Sequence, residues 1–244
     1  MKVYKFGGAS VKDAESVKNV ALVLETQGFE KCLLVVSAMG KTTNALEKVV
    51  EFYFKKQDYQ SEIETIKQNH IDIAKGLFSD NHAVFGEISL FFDDIDSFLR
   101  RNKSPNYNFV YDQVVSCGEM ISSKILSEYL NELQFFNHWL DARDYIKTDS
   151  NYREGIVNWQ ETEQNIAKLD KINCYVTQGF IGSESNNFTV TLGREGSDYT
   201  AAIFAYCLNA DEMTIWKDVP GVMTGDPRKF ENVELLSHIS YEEA

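Results

Sequence analysis

Apolar residues change their spacing along this chain, and each change predicts a different kind of element. Residues 3–6 are short and β-prone and end at Gly7-Gly8. From 10 to 26 the apolar positions Val11, Val17, Val20, Ala21, Val23 and Leu24 recur at helical spacing, and Gly28 supplies a stop. Residues 32–36 form a continuous apolar run, as expected of a strand covered on both faces. The order β, Gly turn, α, β predicts a parallel pair with a right-handed crossover. Residues 44–101 carry no strand pattern. Leu46, Val49, Val50, Tyr53 and Phe54 make one stripe, and Ile63, Ile66, Ile73, Leu77 and Phe78 a second. Ile88, Phe91, Phe92, Ile95, Phe98 and Leu99 make a third. These stripes predict a block of packed helices, about 44–104, inserted into an α/β core. The acidic run Asp93, Asp94, Asp96 reads as a solvated helix face rather than a metal site.

The α/β pattern returns after Pro105. Residues 113–117 are read as a strand running into Gly118, followed by a helix at about 119–133. Further strands are expected at 135–140, 173–179, 188–192 and 212–217, and a helix at about 198–208. Ser240 and Glu243 have the spacing of a capping box, so a helix is expected to begin there. The chain is therefore read as a fragment of something longer.

Composition narrows the class. With 43% hydrophobic and 13% aromatic residues, the 244-residue chain has ample material for a core and is not a disordered tail. The 24 basic residues face 37 acidic ones, a net charge of −13. That balance argues against nucleic-acid partners and against docking on anionic lipid. No apolar run reaches the ~20 residues of a membrane span, and the start lacks the apolar core of a secretory signal. A cytoplasmic protein is expected. Cys32, Cys117, Cys174 and Cys207 lie far apart, as do the histidines, so neither a disulfide framework nor a structural metal is expected.

The candidate chemistry sits in the glycine turns. Gly7-Gly8, Gly40, Gly118, Gly179 and Gly182, Gly193 and Gly196, and Gly221 each follow a predicted strand. Ligands of open parallel sheets bind at the carboxyl ends of strands, and helix N-termini there favour anions. A phosphate-rich ligand is the natural expectation. In Lys5-Phe6-Gly7-Gly8 the glycines allow close backbone approach, and Lys5 can reach the same phosphate as a point charge. Gly40-Lys41-Thr42 resembles the end of a Walker A loop, but Val35 stands where that motif needs its first glycine. No Gly-x-Gly-x-x-Gly follows the first strand. Glu119 either compensates a helix dipole or holds a substrate ammonium. The run from Thr191 to Thr200 combines Arg194, Ser197 and Asp198 in a Gly-rich turn. Arg194 suits bidentate binding of carboxylate or phosphate. Asp198 alone could be a helix cap, but capping leaves Arg194 unexplained. The loop from Lys217 to Arg228 is dense in polar and turn residues and suits nucleotide contacts.

Taken in order, these segments resemble the aspartokinases, which belong to the amino acid kinases. The resemblance rests on Lys5-Phe6-Gly7-Gly8-Ala9-Ser10-Val11, Val36-Ser37-Ala38-Met39-Gly40, Thr43-Asn44 and Ser116-Cys117-Gly118-Glu119. It continues through Gln178-Gly179-Phe180-Ile181-Gly182, Gly193-Arg194-Glu195-Gly196-Ser197-Asp198 and Asp218-Val219-Pro220-Gly221 to Asp226-Pro227-Arg228. It implies a three-layer αβα sandwich with an eight-stranded, mostly parallel sheet, and one amino acid kinase domain over 1–244. It implies phosphorylation of L-aspartate by ATP with Mg2+, giving 4-phospho-L-aspartate on the way to lysine, threonine and methionine. Lys5 would neutralise the transferred phosphoryl, and Asp198 would orient that lysine. Gly7, Gly8 and Ser10 would cradle phosphate, and Lys217, Asp218, Met223 and Arg228 would line the nucleotide site. Glu119 would take the substrate ammonium and Arg194 its carboxylate, with Ser37, Thr43 and Ser197 completing the pocket.

Three features depart from the family pattern. Glu195 stands where Gly is frequent, Lys217 where Thr is common, and Met223 where an aromatic is frequent. The family also continues into a lysine-bearing nucleotide segment and regulatory ACT domains, which are read as absent here. Full-length members are expected to form homo-oligomers. Two alternatives stay open: another amino acid kinase, such as a glutamate 5-kinase, or a module that binds nucleotide or aspartate without turnover.

Overall fold

The computed structural model describes every residue except Pro220, Arg228, Tyr241 and Ala244. Its strands are β1 (Lys2–Phe6), β2 (Cys32–Val36), β3 (His138–Leu140), β4 (Tyr175–Gln178), β5 (Ile181–Ser183), β6 (Thr189–Thr191) and β7 (Glu212–Trp216). Its helices are α1 (Ala14–Gln27), α2 (Thr42–Phe54), α3 (Gln60–Lys75), α4 (Val84–Arg101), α5 (Tyr107–Val115), α6 (Cys117–Glu132), α7 (Ala142–Tyr145), α8 (Trp159–Ile166) and α9 (Gly196–Leu208). Five strands form one parallel sheet in the order β3-β4-β2-β1-β7.

The alternation of side chains divides the core into two. Tyr4, Phe6, Cys32, Leu34 and Val36 pack with α1 to α6 on one face. Val3, Leu33 and Val35 pack on the other face with Ile146, Ile166, Ile203, Phe204 and Leu208 from the side of α7, α8 and α9. Both faces of β2 are fully covered, which is why its sequence is unbroken Cys-Leu-Leu-Val-Val. The result is the expected three-layer αβα sandwich. The same period-2 rule decides where Lys5 points. It shares the face of Val3, so its side chain rises towards α9 rather than towards α1.

Two expectations need correction. Residues 113–117 are not a strand. They end α5 and enter α6, which begins at Cys117. Asn106 caps α5 by accepting from the N–H groups of Asn108 and Phe109, and Val110 and Val114 are buried one helical turn apart. A short apolar run between breakers does not by itself separate strand from helix. The strand count also differs. Among the described residues the sheet has five strands, and β5 and β6 make a separate antiparallel pair. Phe180, at φ 73°, turns the chain out of the main sheet directly after β4. Near the end, the N–H of Ser240 donates to the Glu243 carboxylate at 2.9 Å, the reciprocal bond of the expected capping box.

Candidate active site

The carboxyl ends of β1, β2 and β4 and the start of α9 converge on one cleft of about 250 Å3. Its charged floor follows from the placement of Lys5. The Lys5 ammonium lies 2.7 Å from Asp198 Oδ1, in the first turn of α9. Lys217, immediately after β7, holds Asp198 Oδ2 at 3.4 Å. One carboxylate thus bridges two lysines from adjacent parallel strands. Burial pushes the Asp198 carboxyl up, but the Lys5 contact and then the Lys217 charge overcome it and hold it below its ordinary value. Lys5 itself is 6% exposed, so an unpaired charge there would be costly.

The glycine turn above Lys5 is shaped by its neighbours. A Cβ on Gly8 would lie 2.7 Å from the carbonyl oxygen of Ala38, so only glycine lets this turn nest against the one after β2. The Gly40 N–H donates to the Gly8 carbonyl at 3.0 Å and locks the two turns together. Gly7 lies beside the Lys5 ammonium, which a Cβ there would approach to 3.6 Å.

Glu119 forms the opposite wall. It sits in the first turn of α6, brought close to the sheet by Gly118, whose missing Cβ would lie 3.1 Å from Ala38 Cβ and from Thr42 Cγ2. Glu119 is 3% exposed. Its Oε1 accepts from the Ala38 N–H at 3.4 Å, and its Oε2 has no partner. Burial pushes this carboxyl up to about 8, against the opposing pull of the Ala38 N–H. A buried acceptor left unmatched costs about 1–3 kcal/mol, so the cleft favours a ligand that brings a donor to this oxygen.

The structure therefore brings Lys5, Gly8, Ser37, Thr43, Glu119, Ser197 and Asp198 into one cleft. Lys217 joins them through Asp198. Arg194 lines an adjoining cleft of about 520 Å3 with Arg153 and Tyr111, and the two clefts share Phe180 and Gly193. Ser10, Asp218 and Met223 line neither of these clefts. Met223 instead bridges to Leu235 within the loop after β7. Arg228 lies outside the described residues. Sequence reasoning missed Phe180 as a lining residue, although the Gly-Phe-Ile-Gly run flagged the turn that holds it. It also missed Arg153, which no motif marks. Glu195 caps α9 at φ 55°, a left-handed conformation, which is the physical reason that glycine suits this position.

A doubly wound parallel sheet with its charged groups gathered at the strand ends is an α/β protein of the kind that holds ligands at that edge. More narrowly, the amino acid kinase family matches residues 1–244, and the chain belongs to it. The chain is 32% identical to the chloroplastic bifunctional aspartokinase/homoserine dehydrogenase 2 of Arabidopsis thaliana, over 99% of this chain and 27% of that protein. It is 30% identical to the lysine-sensitive aspartokinase 3 of Escherichia coli strain K12, over 99% of this chain and 54% of that protein. The structure of E. coli aspartokinase III in complex with aspartate and ADP matches with a TM-score of 0.87 at 30% identity, over 97% of this chain and 53% of that one. The Clostridium acetobutylicum aspartate kinase matches with a TM-score of 0.82 at 27% identity, over 100% of this chain and 54% of that one. The chain thus spans 27% to 54% of the length of these relatives. Among the described residues no helix is long and apolar enough to cross a membrane.

Proposed function

We propose that this chain transfers the terminal phosphoryl group of ATP to the side-chain carboxylate of L-aspartate, giving 4-phospho-L-aspartate and ADP. The observation that carries this reading is a buried, unpartnered Glu119 oxygen sharing one cleft with the Lys5–Asp198 pair. A ligand that satisfies both ends needs a cationic donor for Glu119 and an anionic end for Lys5. An amino acid with an acidic side chain meets both demands. The fold match to an aspartokinase solved with aspartate and ADP supports the same pairing.

The chemistry asks little of the protein beyond placement. A side-chain carboxylate is ionised near pH 7, so no general base is required. Lys5 neutralises charge on the transferred group, and Asp198 holds Lys5 in line. Lys217 adds a second positive charge beside them. The Gly7 N–H donates to the Trp216 carbonyl at 3.4 Å, which leaves the Gly8 N–H of this turn for the same anion. Positioning and charge neutralisation are the main resources for phosphoryl transfer. Ser37, Thr43 and Ser197 complete the substrate pocket, and Arg194 takes the remaining carboxylate. Ser10, Asp218, Met223 and Arg228 are assigned to the nucleotide side. Mg2+ would come bound to the nucleotide phosphates. Among the described residues there is no cluster of three acidic, histidine or cysteine ligands, and Asp198 is already held by two lysines.

Residues 1–244 are read as one catalytic domain with a helical insertion at about 44–104. The product opens a route to lysine, threonine and methionine. Four free thiols suit a reducing compartment such as the cytoplasm. A homo-oligomer is expected for the full-length protein.

Hydroxylamine trapping tests the activity, because an acyl phosphate yields a coloured iron hydroxamate. Signal with MgATP and L-aspartate, and none with L-glutamate, is the expected result. Signal with glutamate in place of aspartate, or none with either, overturns the reading for this chain.

A further inference from the structure

Arg153 is a non-glycine residue at φ 74°, on the loop between α7 and α8. Such a conformation is uncommon for an arginine and persists only where the surroundings impose it. Here they do. The buried Asp112 accepts from the Arg153 N–H at 2.9 Å. The same carboxylate accepts from the N–H of Thr191 at 2.9 Å and from its hydroxyl at 2.8 Å. Thr191 lies two residues before Gly193, and the Gly155 N–H donates to the Thr191 carbonyl at 2.9 Å. A Cβ on Gly193 would lie 3.4 Å from the Arg153 carbonyl oxygen. The strained loop is therefore docked on the turn that carries Arg194.

The side chain is equally fixed. The Arg153 guanidinium stacks over the Tyr111 ring, 4.1 Å from its centre. One of its nitrogens, Nη2, meets Glu47 Oε1 at 3.5 Å. A guanidinium has five donors in a planar fork, so this long contact leaves most of them unused. Arg153 and Arg194 line the same cleft, together with Glu154, and Arg194 has no polar partner among the described residues. That cleft opens into the inner one at Phe180 and Gly193.

We infer that Arg153 is a specificity-determining residue for the substrate, supplying with Arg194 a two-arginine seat for the α-carboxylate of the amino acid. This rests on the proposed aspartate kinase activity. The geometry follows from the other two substrate groups. The reacting carboxylate is drawn to Lys5 and the ammonium to Glu119. The remaining carboxylate then points through the opening at Phe180 and Gly193 into the outer cleft, which Arg153 and Arg194 line. Tyr111, whose ring centre lies 4.1 Å from the Arg153 guanidinium, restrains that group at the cleft wall, which favours bidentate contact.

The test is calorimetric titration of the chain with L-aspartate and with its α-amide, in which a neutral carboxamide replaces the α-carboxylate. Arg153→Gly removes the guanidinium and places glycine where φ is positive, so folding is not the obstacle. The expected result is about tenfold weaker binding of L-aspartate by R153G, with binding of the α-amide unchanged. Arg153→Lys keeps the charge but loses the planar fork, and is expected to recover only part of the loss. If R153G weakens both ligands equally, or neither, Arg153 does not read the α-carboxylate and the inference is overturned. Failure of the unsubstituted chain to bind L-aspartate would instead overturn the proposed activity itself.

Discussion

The two ends of the inner cleft treat buried charge in opposite ways. At the Lys5 end every charge has a partner, because Asp198 takes Lys5 at 2.7 Å and Lys217 at 3.4 Å. At the Glu119 end a carboxyl is just as deeply buried, yet one oxygen has no partner and the group is pushed up to about 8. A compensated charge fixes geometry before any ligand arrives. An uncompensated one raises the energy of the empty site and is relieved when a donor enters. The paired end is therefore a preset electrostatic frame, which on the proposed reading receives the phosphoryl group. On the same reading the unpaired end recognises the substrate, and its protonation is expected to change on binding.

The largest effect is expected from breaking the paired end. Lys5→Ala removes the charge that the proposed reading sets against the transferred group and is expected to cost at least ~10²-fold in turnover, read by steady-state hydroxamate formation. Near-normal turnover in that variant would remove Lys5 from the mechanism.

Glu119→Gln attacks the unpaired end and separates binding from stability. Aspartate affinity is expected to fall by at least about thirtyfold, measured by calorimetry, because the ammonium loses its counter-charge. Stability should move the other way at high pH. The folded value of about 8 lies above the ordinary 4.5, so the folded chain binds this proton more tightly than the unfolded one. The contribution is fully present below about 4.5 and is lost as pH rises through about 8. E119Q should flatten that slope and stabilise the chain at pH 8–9 by on the order of a few kcal/mol, read from urea unfolding across pH. An unchanged slope would mean that burial does not control this group.

The smallest effect belongs to Glu195, at φ 55° beside the cleft. Glu195→Gly relieves the left-handed conformation and is expected to stabilise the chain by about 1 kcal/mol in urea unfolding. A loss of stability would show that the Glu195 side chain does more than fill a turn.

The contrast between the two ends also marks what the sequence made legible. β1 and β2 were readable directly, as a short β-prone segment and a continuous apolar run, but the side on which Lys5 emerges was not. The glycine turns announced the ligand edge, and the Gly-rich run before α9 announced Asp198. Contacts between distant residues were not readable. Lys217 meets Asp198 only because β7 pairs in parallel with β1, so that Lys5 lies opposite Ile215. The run at 113–117 misled because three consecutive buried residues, Val114, Val115 and Ser116, suit a helix between helices as well as a strand. The burial of Glu119 was also hidden, since it depends on Gly118 letting α6 approach Ala38 and Thr42. Arg153 left no signal, because its role depends on Asp112 reaching across from α5.

The most direct test of the account is the proton balance of substrate binding. L-Aspartate is titrated into the chain by calorimetry at pH 7 in phosphate and in Tris, which differ in ionisation enthalpy, and succinate serves as the analogue lacking the ammonium. With its carboxyl held near 8 when empty, Glu119 should ionise as the ammonium arrives, releasing close to one proton per aspartate and none with succinate. Aspartate binding with the same enthalpy in both buffers would contradict the claim that the empty Glu119 carboxyl is reserved for the substrate's ammonium.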